Sequence, residues 1–548
     1  MRLARLGSFH QTRLSFMRVL LRRIAREGWR FERRVFEING RGVGHAVYTL
    51  WRGERAYSLI AYSHDLPPDL RTDRVIAEAW DATYALFDGV PSPADIARLA
   101  DNVPRQEAGR CLQSELVLAR SNKSVRLFDA VVAALAAGRQ PDAAEVEATG
   151  YLMRTTAVYG NGKFGIADRD IYADREELSG PFQAEMMTVW LIRAFTVDLA
   201  EHLAGLRAPT TAVRLDPRLR RRLGIGNATG LGMAPFLIKH PALIDRWIGA
   251  REEALRRVRD LAKASPEAIA IFRETVGRAI GQVAGWRTDD PVQAPRIPVL
   301  AGDLERLRDH VTADAAFAGA RPWNALYEWG AGSLSLEGQE MLVSLLIEPH
   351  GAVVDDLAGL MAIDERPRAV IDGTGAPADL VRLIERAYGW ALGMDFDQAE
   401  AQARFWYVSE EKLEPRLGER ASEAGAEREQ PLAVARDVQG LHRALKRTDS
   451  ETVAAFLRQN PVYRHIARRV LHIQAQPYGE VQDNLIGADL RAIDLLRCKL
   501  SFFGCTRFDP RSDKWLRITL FQGAPFPDEI GTGDFDRWVW GAAGGAAA

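Results

Sequence analysis

Residues 31–63, FERRVFEINGRGVGHAVYTLWRGERAYSLIAYS, hold three runs rich in β-branched and aromatic residues: Phe31 to Asn39, Gly44 to Arg52 and Arg55 to Ser63. Gly40-Arg41-Gly42 and Gly53-Glu54 separate them, and short glycine-bearing breaks between such runs are hairpin chemistry. The stretch predicts a three-stranded meander. Upstream, residues 1–26 carry seven arginines and no acid, with Leu14, Met17, Leu21 and Ile24 on one helical stripe. That pattern is a basic amphipathic helix, read as a first helix docked on the body. A transit peptide or membrane-surface anchor is the competing reading, but no cleavable spacer or apolar core region follows.

Downstream the pattern changes to a helical period. Val75, Ala79, Ala82 and Leu86 suggest a helix over 72–87, and further helices are expected near 92–102, 107–119, 124–138, 142–158, 181–205, 229–262 and 265–286. A proline-bearing linker spans 287–298, and a second helical region runs over 299–475, broken at 364–377 and by the charged stretch 416–430. Near the end, Leu500 to Phe508 and Lys514 to Gln522 flank Asp509-Pro510-Arg511-Ser512-Asp513, a turn between two strand-like runs. A lone hairpin is marginal in water, so it is expected to seek the amino-terminal meander.

The fold class read from these patterns is mainly α, of α+β type: a multi-helix body with a small antiparallel sheet formed by the meander and the late hairpin. The corresponding organisation is 1–91 (helix, meander, helix), 92–290 (helical, with Gly/Lys-rich loops), 291–475 (second helical region), 476–540 (segment with the hairpin) and 541–548 (a fraying tail).

Composition narrows the function classes. Lys and Arg number 72 against 73 Asp and Glu, so no general field draws the chain to nucleic acid or to an anionic membrane. The longest apolar runs fall short of the ~20 residues that a membrane span requires. Three cysteines, Cys111, Cys498 and Cys505, cannot form a disulfide framework, which fits a reducing, cytoplasmic setting. Only eight of the 72 basic residues are lysines, which singles out each ammonium group.

Four segments carry candidate chemistry. Tyr159-Gly160-Asn161-Gly162-Lys163-Phe164-Gly165 matches G-x-G-x-x-G literally, but a dinucleotide fingerprint must follow a strand and open a helix, and the residues before it read as helical. What remains is a glycine loop whose N–H groups converge around the Lys163 ammonium, fit for a carboxylate or phosphate; the alternative is a helix C-cap and turn. Arg120-Ser121-Asn122-Lys123-Ser124-Val125-Arg126 reads as a helix connection in which Ser121 or Ser124 caps the next helix while Asn122, Lys123 and Arg126 form an anion seat; simple capping is the alternative. Gly224 to Gly232, with Asn227 and Thr229, reads as a glycine-rich loop opening a helix, or as close packing at glycine.

In the fourth segment Glu480 and Asp483, three apart, would share a helix face, where like-charge proximity raises one carboxyl into general acid/base range; exposed, they are a solvated first turn. Zinc-protease, Walker, nucleophile-elbow and EF-hand motifs are missing from the sequence, and His465 with His472 makes a weak metal signal, so no metal is assigned and no cofactor is named. The resulting expectation is an enzyme that binds an anionic small molecule. Asn122, Lys123, Arg126, Asn161, Lys163, Asn227 and Thr229 would hold it, and Tyr159, Glu480 or Asp483 would handle a proton. A homo-oligomer is compatible with this reading. The competing expectation is a non-catalytic helical scaffold or regulatory partner that docks through the arginine-rich first helix.

Overall fold

The computed structural model describes residues 11–67, 79–102, 112–156, 174–230, 241–288, 294–361, 372–393, 395, 406–409, 415–417, 426–430, 433–473, 475–476, 500–505, 507–510 and 515–540. After helix α1 (Phe16–Arg26) the alternating runs form β1 (Arg30–Ile38), β2 (Gly44–Arg52) and β3 (Arg55–Ser63), paired antiparallel with Phe31 opposite Leu50 and Arg52 opposite Arg55. The ladder continues through β4 (Ala82–Asp88), β5 (Glu115–Lys123) and β6 (Tyr151–Thr155), all antiparallel. β6 then pairs parallel with β7 (Gly224–Gly230). Three short strands, β8 (Trp406–Ser409), β9 (Pro415–Leu417) and β10 (Ala426–Gln430), form a separate sheet. The late hairpin, β11 (Arg507–Pro510) and β12 (Trp515–Leu520), joins the main sheet through β7, giving the order β1-β2-β3-β4-β5-β6-β7-β12-β11.

The small antiparallel sheet expected from the sequence is thereby corrected to a nine-stranded mixed sheet that curls into half a barrel. The hairpin lies at the edge opposite the meander, not beside it. The reason for the misreading is burial on both faces, which erases the period-2 signal. Six of the seven β4 residues are buried, so Ala-Thr-Tyr-Ala-Leu-Phe shows no polar alternation and mimics a helix. The helix expected over 72–87 is therefore replaced at its end by β4, and that over 107–119 by β5. The helix expected over 142–158 splits at Gly150. This residue adopts the left-handed φ of 76°, and its N–H closes the preceding turn on the Val146 carbonyl at 2.8 Å.

The outer face of the sheet is covered by α2 (Pro93–Asn102), whose Ile96 and Leu99 meet Val47, Ile60, Tyr62, Ala85, Phe87 and Leu118. The helices α3 (Phe128–Ala136) and α4 (Ala143–Thr149) lie between β5 and β6. Inside the curl runs α5 (Gln183–Arg207), buried at every residue from Gln183 to Val197 and in contact with β2, β3, β5, β6 and β7. A short α6 (Pro217–Arg222), capped by Asp216, returns the chain to β7.

One continuous core runs from Leu14 through the helices up to Met361 and takes in Leu500 to Trp540. A second, smaller core gathers helices of residues 377–473. No helix among the described residues is long and apolar enough to cross a membrane.

The first helix is bound into the larger core by its apolar stripe and by its charges. Phe16, Met17, Leu20, Leu21 and Ile24 are buried, while Arg18 grips Glu348 with two nitrogens. Arg13 reaches Asp355 at 2.7 and 2.9 Å and Asp536 at 2.8 Å. Arg26 also pairs with Asp355.

Candidate anion site at the ends of two parallel strands

The parallel pair β6 and β7 is joined through α5, so this part of the chain is a β–α–β unit set in an otherwise antiparallel sheet. β6 forms because Gly150 stops α4 and five residues then extend, each of them buried. The glycine-rich run 159–165 thus follows a strand, and the expectation that helical residues precede it is corrected. It does not open α5, which begins only at Gln183. In open sheets containing parallel strands, ligands gather outside the carboxyl ends of those strands, where the order of connections reverses. Here the carboxyl end of β6 is Thr155 and that of β7 is Gly230.

Asn227, midway along β7, ties that strand to the carboxyl end of β6. It is 2% exposed, and its side-chain amide donates to the carbonyl of Thr155. The segment 224–232, expected to be a loop opening a helix, is a strand over its first seven residues. Its glycines serve close packing: a Cβ on Gly226 would meet the Tyr151 ring at 2.7 Å, and one on Gly224 would meet the Leu520 carbonyl oxygen at 2.3 Å. Thr229 lies in this strand opposite Leu516.

On the other flank of β6, Asn122 and Lys123 end β5, with Asn122 opposite Arg154 and Arg154 opposite Gly226 across two strand boundaries. The sheet therefore brings residues 122–123 and 226–227 to one level on either side of β6. Neither Asn122 nor Lys123 is an open anion contact. The Asn122 side chain accepts the Asp81 N–H at 2.9 Å and donates to the Ala79 carbonyl at 3.2 Å. The Asp81 carboxylate, fully buried, accepts the Lys123 N–H at 2.9 Å and lies 3.8 Å from its ammonium, which also sits 5.0 Å from the Phe128 ring. A buried ammonium beside a buried carboxylate is a mutual neutralisation.

The helix-capped anion seat expected at 120–126 is corrected as well. β5 occupies residues 115–123, and α3 starts behind Leu127 with no side-chain cap. The Ser121 hydroxyl bonds to the Tyr84 hydroxyl at 2.6 Å instead. Arg126 is exposed in the turn after β5.

Sequence reading missed Asp81 and Arg154, both buried in this cluster. Asp81 fell inside an expected helix and gave no signal of its pairing with Lys123. Beside it, the His64 N–H donates to the Asp81 carbonyl at 2.9 Å and the His64 ring bonds to the Thr83 hydroxyl at 3.0 Å; burial holds the His64 pKa down, against the pull of Asp81. The Arg120 guanidinium lies 5.2 Å from the Trp80 ring, and burial lowers its pKa.

Tyr159, Asn161 and Lys163, and Glu480 and Asp483, lie outside the described residues. No cluster of three or more His, Cys, Asp or Glu suited to a metal ion occurs among the described residues. His465 is engaged by Asp437 at 2.8 Å and by the Val462 carbonyl at 3.0 Å. Compared with protein-family models, curated proteins and solved structures, the chain matches none.

Proposed function

We propose that this protein is an enzyme that binds an anionic small molecule, a carboxylate or a phosphate, at the carboxyl ends of β6 and β7. The observation that carries the reading is topological: the segment bearing Gly160, Asn161, Gly162, Lys163 and Gly165 leaves the carboxyl end of the strand that opens a parallel β–α–β unit. Glycines there let backbone N–H groups converge on an oxyanion, and the Lys163 ammonium supplies the balancing charge. Asn227 supports this by fastening β7 to the carboxyl end of β6. Asn161 and Thr229 complete the polar contacts, and Arg126 adds charge from the adjoining turn. Asn122 and Lys123, tied to Asp81, build the wall and do not touch the ligand. Tyr159, Glu480 or Asp483 moves the proton.

The reading as a scaffold that docks through its first helix has no comparable support, because Arg13, Arg18 and Arg22 are turned into the body. The test is thermal unfolding with inorganic phosphate, nucleoside phosphates and di- and tricarboxylates, on the natural protein and on Lys163→Ala. A ligand at a hundred times its Kd should add about 2.7 kcal/mol of stability. Lys163→Ala should weaken that ligand by about tenfold or more, the size of one charge-assisted contact. If no anion stabilises the chain, or if Lys163→Ala is stabilised equally, the assignment is wrong.

A further inference from the structure

The smaller core supports a surface of unusual charge. Residues 433–473 hold eight Lys or Arg against three Asp or Glu, in a chain whose net charge is −1. Four of the eight fall on two consecutive helices. The helix Val453–Gln459 ends with exposed Arg458, a single turn Pro461–Tyr463 follows, and the helix Arg464–His472 presents exposed Arg464 and Arg468 one turn apart on one face.

The Arg464 Nε donates to the Leu457 carbonyl at 3.2 Å, which holds its guanidinium at the carboxyl end of the helix Val453–Gln459. The connecting turn carries Val462, 68% exposed, the most exposed large apolar side chain among the described residues. Arg458, Arg464 and Arg468 have no ion pair among the described residues, and Asp437, on the helix Ala433–Leu445 that packs against the helix of Arg464 and Arg468, is held by His465.

We infer that this face docks an acidic polypeptide segment that carries an apolar side chain among its carboxylates. Three guanidinium forks offer paired N–H groups to carboxylates, and Val462 gives the contact an apolar centre. A nucleic-acid strand fits less well. Tyr463, the aromatic residue of the patch, is stacked on Phe456 with ring centroids 6.1 Å apart and is not offered to a base. The surface lies apart in sequence and in core from the strands assigned to the small anion, so the two readings stand or fall separately.

The probe is a fluorescein-labelled 20-residue peptide of glutamates interspersed with leucines, titrated against the full chain by fluorescence anisotropy. Saturable binding that weakens with salt is expected. Arg458→Glu/Arg464→Glu/Arg468→Glu should weaken it at least about tenfold, and Val462→Asp several-fold, with circular dichroism unchanged. Absence of binding overturns the proposal, including the case in which the chain's own residues 394–432, with ten Asp or Glu against five Lys or Arg, already cover the face. Equal binding by the triple variant overturns it, as does tighter binding of a 20-nucleotide single-stranded DNA.

Discussion

At Lys123 the chemistry reads differently once the partner is known. Its ammonium is paired with Asp81 in a buried setting, so removing one partner strands a charge, whereas removing both does not. Lys123→Met should cost about 3–5 kcal/mol, and Lys123→Met with Asp81→Asn much less, measured by urea unfolding. A single variant as stable as the natural protein would show the pair to be dispensable.

His350 makes a second prediction. It is 7% exposed, meets the Trp323 ring edge-on at 4.9 Å, and has its pKa lowered to about 4, chiefly by burial and secondarily by Arg13. The unfolded chain therefore takes up this proton before the native one does. Stability is intact above the ordinary histidine range and falls as the pH drops from about 6.5 to about 4, by roughly 3 kcal/mol at most. His350→Gln should flatten that part of the stability curve. A decline parallel to that of the natural protein would assign the loss to other groups, such as Asp355, whose pKa is depressed and which acts at lower pH.

Among the elements, α5 is a long and deeply enclosed helix, covered by the sheet on one side and by α1 and α3 on others. Its amides from Met186 to Leu199 should exchange with deuterium only on global unfolding, more slowly than those of the Ala433–Leu445 helix in the smaller core. Equal exchange in the two would mean that they unfold as one unit. The elements also show what was legible in advance. β1 to β3 were readable because tight glycine turns separate them and the outermost, β1, keeps exposed positions along its length. β4 was not, because both its faces are buried and no exposed polar position marks the period; β5 was not, because its polar end, Arg120 to Lys123, reads as a connection between helices although it is mostly buried. β7 was hidden for another reason: Gly224, Gly226 and Gly230 have poor strand propensity, and for the first two only the approach of Leu520 and Tyr151 explains the choice. The residue types at this end of the sheet were legible, since Asn122 and Lys123 on β5 and Asn227 on β7 flank β6. The wiring was not, because Asp81 and Thr155 are distant in sequence.

For the molecule as a whole, the main core depends on both ends of the chain. Phe521, Phe526, Phe535, Trp538 and Trp540 fill it, and Trp190 and Arg193 of α5 donate to the carbonyls of Ala524 and Pro525. A chain ending before Leu500 would expose the edge of β7 and the buried guanidinium of Arg193. It should be aggregation-prone and lack near-ultraviolet dichroism. A soluble truncation with native α5 protection would contradict this.

The pairing of β7 with β12 also sets a clock. About 285 residues separate the two strands, so at ribosomal speed roughly 15–60 s pass between emergence of the first and arrival of the second. Throughout that interval the half-barrel is a template lacking its final staves, with an unsatisfied backbone edge beside an apolar helix. Nascent polypeptide of this design calls for a holding chaperone, and slowing translation ahead of residue 500 should lower the yield of native protein more than slowing it afterwards.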